Sequence, residues 1–577
     1  MQHDLVIKGA TVVDGTGAPG VICDVAVRDG IITEVGRVDG RGARELAGDG
    51  LVLTPGFVDI HTHYDGQVTW DPLLSPSCWH GVTTLVMGNC GVGFAPVRPD
   101  RRDWLVELME GVEDIPGTAL YEGIEWEWES FPEYLDALAR RPRALDVAAQ
   151  IPHGAVRTYV MGERGATGEA PTDDDLAAMA AIVREAMVAG AIGFSSNRLP
   201  LHTALDGTPV PGTFASEAEL SALTGVLGVL GTGTVEIVPG GAMGEDLDAP
   251  ARELELFGRL ARANGRPLTY ALTQIQNAPA LWRDLLRRSG ELIATGAAVV
   301  PQVQARPLGI LIGLAAKHPL TGRPSFDAIA GLPRPELLAR LRVPEVRAAI
   351  LAERAEGNGL AHLVERGVAR VFPLGDPPDY EPDPERSVAA IAGREGRDPR
   401  EVLYDLLLDH DGRALLLFAL GGYAFGNLDD IGEMLTDAHS VLGLGDGGAH
   451  CGVLCDASTT TYLLSHWVRG RRRGLRLELG AAVAKMTSAT AALYGLDDRG
   501  VIRPGYKADF NLIDLERLQL RLPELATDLP GGARRLIQRA DGYVATIVSG
   551  SVIQEEGEDT GARPGRLVRG AQAAPTG

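Results

Sequence analysis

The chain has 577 residues, 45% hydrophobic, 23% charged and 5% aromatic, a globular composition that excludes disorder, collagen and coiled coil. Asp and Glu number 77 against 54 Lys and Arg, a formal charge of −23; such a field repels phosphate backbones and anionic membranes, so neither nucleic acid nor a membrane is an expected partner. Five scattered cysteines fit a reducing compartment. The start Met1-Gln2-His3-Asp4 reads as no signal peptide and no apolar run reaches the ~18–20 residues of a span, so a cytoplasmic protein is expected.

The first fifty residues alternate short β-rich runs (Leu5 to Ile7, Thr11 to Val13, Val25 to Val27, Ile31-Ile32) with Gly9, Asp14-Gly15 and Asp29-Gly30, which is hairpin chemistry. The last eighty are similar, with Phe510 to Ile513 and Tyr543 to Val548 before Ser549-Gly550. Strands at both ends predict one small β-sandwich built from residues 1–54 and 498–577.

Between them a helix–Gly–strand unit recurs. Thr172 caps a helix with Asp175 three residues on, and Leu176, Met179, Ile182, Val183 and Met187 follow at helical spacing until Gly190. Further helices start at Ser216, near Pro250 and near Pro279, and each is followed by a β-rich run. Four such steps imply a parallel sheet, and the length favours a (β/α)8 TIM-like barrel over residues 55–497 rather than an open sheet. Proline-rich joints at 333–335 and 376–384 place long insertions between about 303 and 435.

Three segments could carry chemistry. The run Pro55 to Asp65 holds His61 and His63, which on a strand share one face and could reach one metal at the C-terminal end of a barrel strand; one His in the core and one at the surface would give the same pattern. Cys90 ends a second apolar strand among glycines, as a zinc-binding thiolate or as a small buried residue. Asp446 follows Val441 to Gly445 and precedes Gly447-Gly448; it is either a turn residue or a carboxylate able to bind a metal and accept a proton.

Together PGFVDIHTHYD (55–65), GVTTLVMGNCG (81–91), IPHGAVRTYVMG (151–162), AGAIGFSS (189–196) and GLGDGGAH (443–450) identify a resemblance. Over essentially its whole length the chain resembles the N-acyl-D-amino-acid deacylases, or D-aminoacylases, of the amidohydrolase superfamily. In that family a Cys replaces the carbamylated lysine of many relatives. Here Lys8 and Lys317 bracket a lysine-free stretch, which argues against the dihydropyrimidinase and hydantoinase type. The resemblance implies a Zn2+ site of His61, His63, Cys90 and Asp446, with Asp446 as general base. His153 matches the family's His-Gly-x-x-Arg segment, as an oxyanion or substrate contact.

The family's fifth- and sixth-strand histidine ligands are missing, because those strands read Thr234 to Val238 and Leu268 to Gln274. One ion rather than two is therefore expected, unless Glu236 substitutes. His450, one turn past Asp446, would sit at the site mouth. Arg306 could bind a substrate carboxylate bidentately or serve a structural role, and Cys451 and Cys455 read as packing. The expected activity is hydrolysis of a linear amide of a small N-acyl-amino acid. A cyclic-amide or carbamate hydrolase, and a metal-free barrel acting as a binding protein, are the alternatives, and a homo-oligomer is compatible with either.

Overall fold

The computed structural model describes residues 3–576. Its centre is a parallel barrel whose strands run in chain order: β1 (Phe57–Asp59), β2 (Val82–Met87), β3 (Asp146–Pro152), β4 (Gly193–Asn197), β5 (Thr234–Val238), β6 (Leu268–Ala271), β7 (Val299–Val303) and β8 (Val441–Leu442). Each pairs in parallel with the next. Nearly every strand residue is buried, which is why these strands read as continuous apolar runs rather than alternating ones. The ring closes just past β1 and β8, where Thr62 and Gly447 form a parallel bridge. His63 N donates to Gly447 O at 2.8 Å, and Asp446 N donates to His61 O at 3.0 Å.

The crossover helices follow from their caps. Thr172 and Asp175 exchange capping bonds at the start of Asp173–Ala189, and Gly190, at φ 114°, ends it in the left-handed region that glycine adopts without strain. Ser216 caps Glu217–Leu230 through Glu219 N. Ala249–Asn264 and Leu281–Ala294 complete the four expected helices.

The two chain ends form a single β unit. Val52–Pro55 pairs antiparallel with Phe510–Ile513, and hydrogen bonding runs unbroken through nine strands over a core that includes Leu5, Ile7, Val25, Leu53, Phe510 and Ile547. Beyond the last of these strands the chain returns to the barrel. Val147 N donates to Arg566 O and Val568 N to Val147 O, and Val568 packs with Val58, Ile60, Val86 and Ala148.

Between β7 and β8 lies the expected insertion. Leu308–Ile312, Leu416–Gly421 and Val371–Pro373 make a three-stranded antiparallel sheet, with its own core around Ile312, Leu341, Val364, Leu407 and Phe418. This unit stands over the barrel's C-terminal mouth, because Leu308, Ile310 and Leu420 wall the same cavity as His61 and Asp446. Among the described residues no helix is long and apolar enough to cross a membrane. All five cysteines are free.

Candidate metal centre

The first turn after β1 carries His61 and His63, both almost fully buried. The segment after β2 reverses sharply at Gly88, where φ is 79° and an added Cβ would lie 2.5 Å from Gln150 O. That turn presents Cys90, itself held at φ 56°, and a non-glycine residue keeps such a conformation only where its surroundings enforce it. Asp446, at φ 46°, is likewise fixed by the seam that closes the barrel.

These residues converge. Cys90 Sγ lies 3.4 Å from His61 Nε2 and 3.9 Å from His63 Nε2, and Asp446 Oδ1 lies 3.5 and 3.9 Å from the same two nitrogens. Among the described residues, His61, His63 and Cys90 are the group whose donor atoms gather as metal ligands would. Tetrahedral zinc, with bonds of about 2.0–2.1 Å to nitrogen and 2.3 Å to sulfur, sets donor-to-donor edges near 3.5 Å. The donor set fits one ion.

The surrounding side chains orient these donors. His61 Nδ1 lies 3.1 Å from Gln302 Oε1, which can only accept, so Nδ1 carries the proton and Nε2 its lone pair. His63 Nδ1 faces Glu113 Oε1 at 3.4 Å, and His450 Nε2 lies 3.7 Å from Glu113 Oε2. Glu236, on β5, accepts from Cys90 N at 2.9 Å, and its second oxygen is buried without a partner. Val238 and Ala271, at the C-terminal ends of β5 and β6, also line the cavity, and neither strand carries a histidine.

Electrostatically the cluster lacks a counter-charge. Burial, together with Asp456 and Asp59, raises Asp446 to about 8. Burial raises Glu236 to about 8, with Cys90 N–H opposing and Asp446 adding. Burial and then Asp446, Asp65 and Glu236 push Glu113 well up, and burial and the nearby acids do the same to the Cys90 thiol. Burial lowers His61 to about 4 despite Gln302. Acids that resist ionising and imidazoles that resist protonation are therefore packed together in one buried cluster.

Two expected contacts lie elsewhere. His153 opens the helix after β3 and is buried against Ser196 Oγ (2.8 Å) and Glu219 Oε1 (3.2 Å), with Arg157 on the same carboxylate; it does not line the cavity. Arg306 is also withdrawn. Its Nε donates to Asp456 Oδ1 at 3.1 Å and its Nη1 to Ser458 Oγ at 2.9 Å, while its guanidinium stacks 4.1 Å from the Tyr380 ring. His450 does line the cavity, whereas Cys451 and Cys455 are packed in the core. Glu113, Gln302 and His202 belong to this region without having been singled out. A Gln inside the buried strand Val299–Val303 was a readable signal; Glu113, ending the helix Arg102–Glu113, offered none.

The cavity measures about 310 Å3 and is walled mainly by aliphatic side chains. The Amidohydrolase family sequence profile matches residues 46–554. The chain is similar to an N-acyl-D-aspartate deacylase of Alcaligenes xylosoxydans xylosoxydans, 28% identical over 604 residues covering 100% of this chain and 96% of the relative. It is also similar to a D-aminoacylase of the same organism, 26% identical with 98% and 97% covered. A solved D-aminoacylase, described as activated by one metal and attenuated by a second, shares the fold at a TM-score of 0.66 and 24% identity, with 98% and 100% covered.

Proposed function

The chain belongs to the amidohydrolase family, on its D-aminoacylase branch, and from that premise we propose that it hydrolyses a linear N-acyl-amino-acid amide with one zinc ion held by His61, His63, Cys90 and Asp446. The observation that carries this reading is the convergence of two imidazoles, a thiol and a carboxyl group at donor-to-donor distances of 3.4–3.9 Å. An ion there would supply Lewis acidity toward water and toward the scissile carbonyl.

The chain's own residues supply the rest. Asp446 takes the proton from the attacking water and returns it to the leaving nitrogen, a single carboxylate serving both halves of the reaction. Gln302 holds the imidazole of His61 by its Nδ1, so that it presents Nε2, and the Glu113 carboxyl faces Nδ1 of His63 at 3.4 Å. His450, on the cavity wall, is the group available to donate to the developing oxyanion. The aliphatic walls keep bulk water from the reacting atoms. The free cysteines support a reducing, cytoplasmic setting.

The test is metal content and turnover on one preparation. One zinc per chain is expected, with amine release from N-acetyl-D-amino acids that stops on chelation and returns with zinc. Full turnover by chelator-stripped protein would overturn the reading. Two tightly held ions would overturn its stoichiometry.

A further inference from the structure

The walls of the cavity say which part of a substrate the protein reads. Leu199, Leu201, Met243, Leu308, Ile310 and Leu454 lead the lining, and Arg and Lys are absent from it among the described residues. At the mouth Leu201 and Met243 are 58% and 41% exposed, so the apolar surface continues to solvent. Beyond the metal cluster the polar lining is neutral: Thr273, Gln304 and His202, the last held uncharged by burial.

The nearby cations are already engaged. Arg306 is bound by Asp456 and Ser458, and Lys317, outside the lining, pairs with Asp114 at 2.5 Å. The charge of an ion at the site would be offset by Cys90 and Asp446, with Glu113 and Glu236 buried close by. A carboxylate entering this cavity would lose hydration and find no guanidinium or ammonium in its lining in return.

We propose that the cavity receives an uncharged, apolar arm and reads no carboxylate. N-acyl derivatives of apolar amino acids whose carboxyl is masked as an amide or ester, and acylated apolar amines, are then substrates at least as good as the free acids. Acidic side chains, such as the one that names the aspartate deacylase relative, are excluded. This rests on the amide-hydrolase reading above.

The experiment compares N-acetyl-D-leucine, N-acetyl-D-leucinamide and N-acetyl-D-aspartate. On zinc-loaded wild-type protein kcat/KM is measured by release of the free amine. On zinc-loaded Asp446→Asn, which should bind without turning over, affinity is measured by calorimetry. Leucinamide is expected to match or exceed leucine in both assays, and aspartate to fall about 100-fold or more below both, since an unpaired charge is being buried. A tenfold or greater preference for leucine over leucinamide, or aspartate equal to leucine, would overturn the inference while leaving the hydrolase intact. If wild type hydrolyses none of the three but the binding order holds, the hydrolase reading falls and the inference stands.

Discussion

Replacing Asp446 by Asn separates proton transfer from ion holding. Asn keeps the volume and an oxygen that can stay near His61 Nε2 and His63 Nε2, now 3.5 and 3.9 Å from Asp446 Oδ1. What is lost is proton acceptance, worth about 10²–10⁴-fold in rate, or about 3–5 kcal/mol of barrier. The metal-free protein should respond in the opposite sense. Burial, Asp456 and Asp59 raise Asp446 from 3.8 to about 8, so at pH 7 the folded metal-free chain retains a proton that the unfolded chain has released. Stability from this group is complete below pH 3.8 and is lost as pH rises toward 8. Between 3.8 and 7 the loss is at most about 4 kcal/mol. Asn is neutral throughout and avoids it. Chelator-treated Asp446→Asn should therefore melt above chelator-treated wild type at pH 7, with the gap closing toward pH 4. Amine release, zinc content and melting curves on the same preparations give all three readouts. A fully metallated variant with near-wild-type turnover would remove Asp446 as the base and leave His450 as the next to test. A chelated variant that melts below wild type at pH 7 would refute the electrostatic argument.

His61→Ala deletes a donor instead of a base, so zinc and turnover should disappear together; elemental analysis showing retained zinc would contradict the donor set. Glu113→Gln removes the carboxylate behind His63, and zinc affinity should fall about 10–100-fold in chelator competition, with an unchanged affinity excluding the orienting role. Outside the cavity lining, burial works to raise Glu381, but His466, Arg471 and Leu428 N–H outweigh it and hold the group at about 2. Its contribution is therefore complete above about pH 4.5 and lost as pH falls toward 2. Glu381→Gln should cost about 3 kcal/mol at pH 6, with the difference from wild type shrinking between pH 4.5 and 2.5 in urea titrations; a pH-independent difference would assign the loss to packing alone.

What could be read from the sequence was whatever is local. His61, His63, Cys90 and Asp446 each end an apolar strand, so both the strand and its polar terminus are visible in one short window. The crossover helices are equally legible, because Thr172, Ser216, Gly190 and Gly231 mark their ends within the segment itself. Contacts made across the fold were not. Arg306 looked free to bind a carboxylate because its partner Asp456 lies 150 residues away. His153 looked catalytic because Glu219, 66 residues on, gives no sign of reaching it. Glu113 ends a helix with nothing nearby to connect it to His63. The inserted sheet is a similar case: Leu308–Ile312 pairs with Leu416–Gly421, a register that no short window contains.

The barrel's closing seam has a consequence of its own. His61 and His63 stand on one lip, Asp446 on the other, and the backbone bonds from Asp446 N to His61 O and from His63 N to Gly447 O stitch the lips together. Almost four hundred residues separate those lips along the chain, and a contact spanning so long a loop is among the last that a folding chain can afford. The donor set is thus split between the first two strands of the ring, which carry His61, His63 and Cys90, and the last, which carries Asp446, so it is complete only when the ring is whole. An ion captured there would act as a rivet through the closure and would discriminate finished barrels from unfinished ones. On removal of metal, amide exchange should accelerate first around 60–63 and 445–448, ahead of the strands on the far side of the barrel.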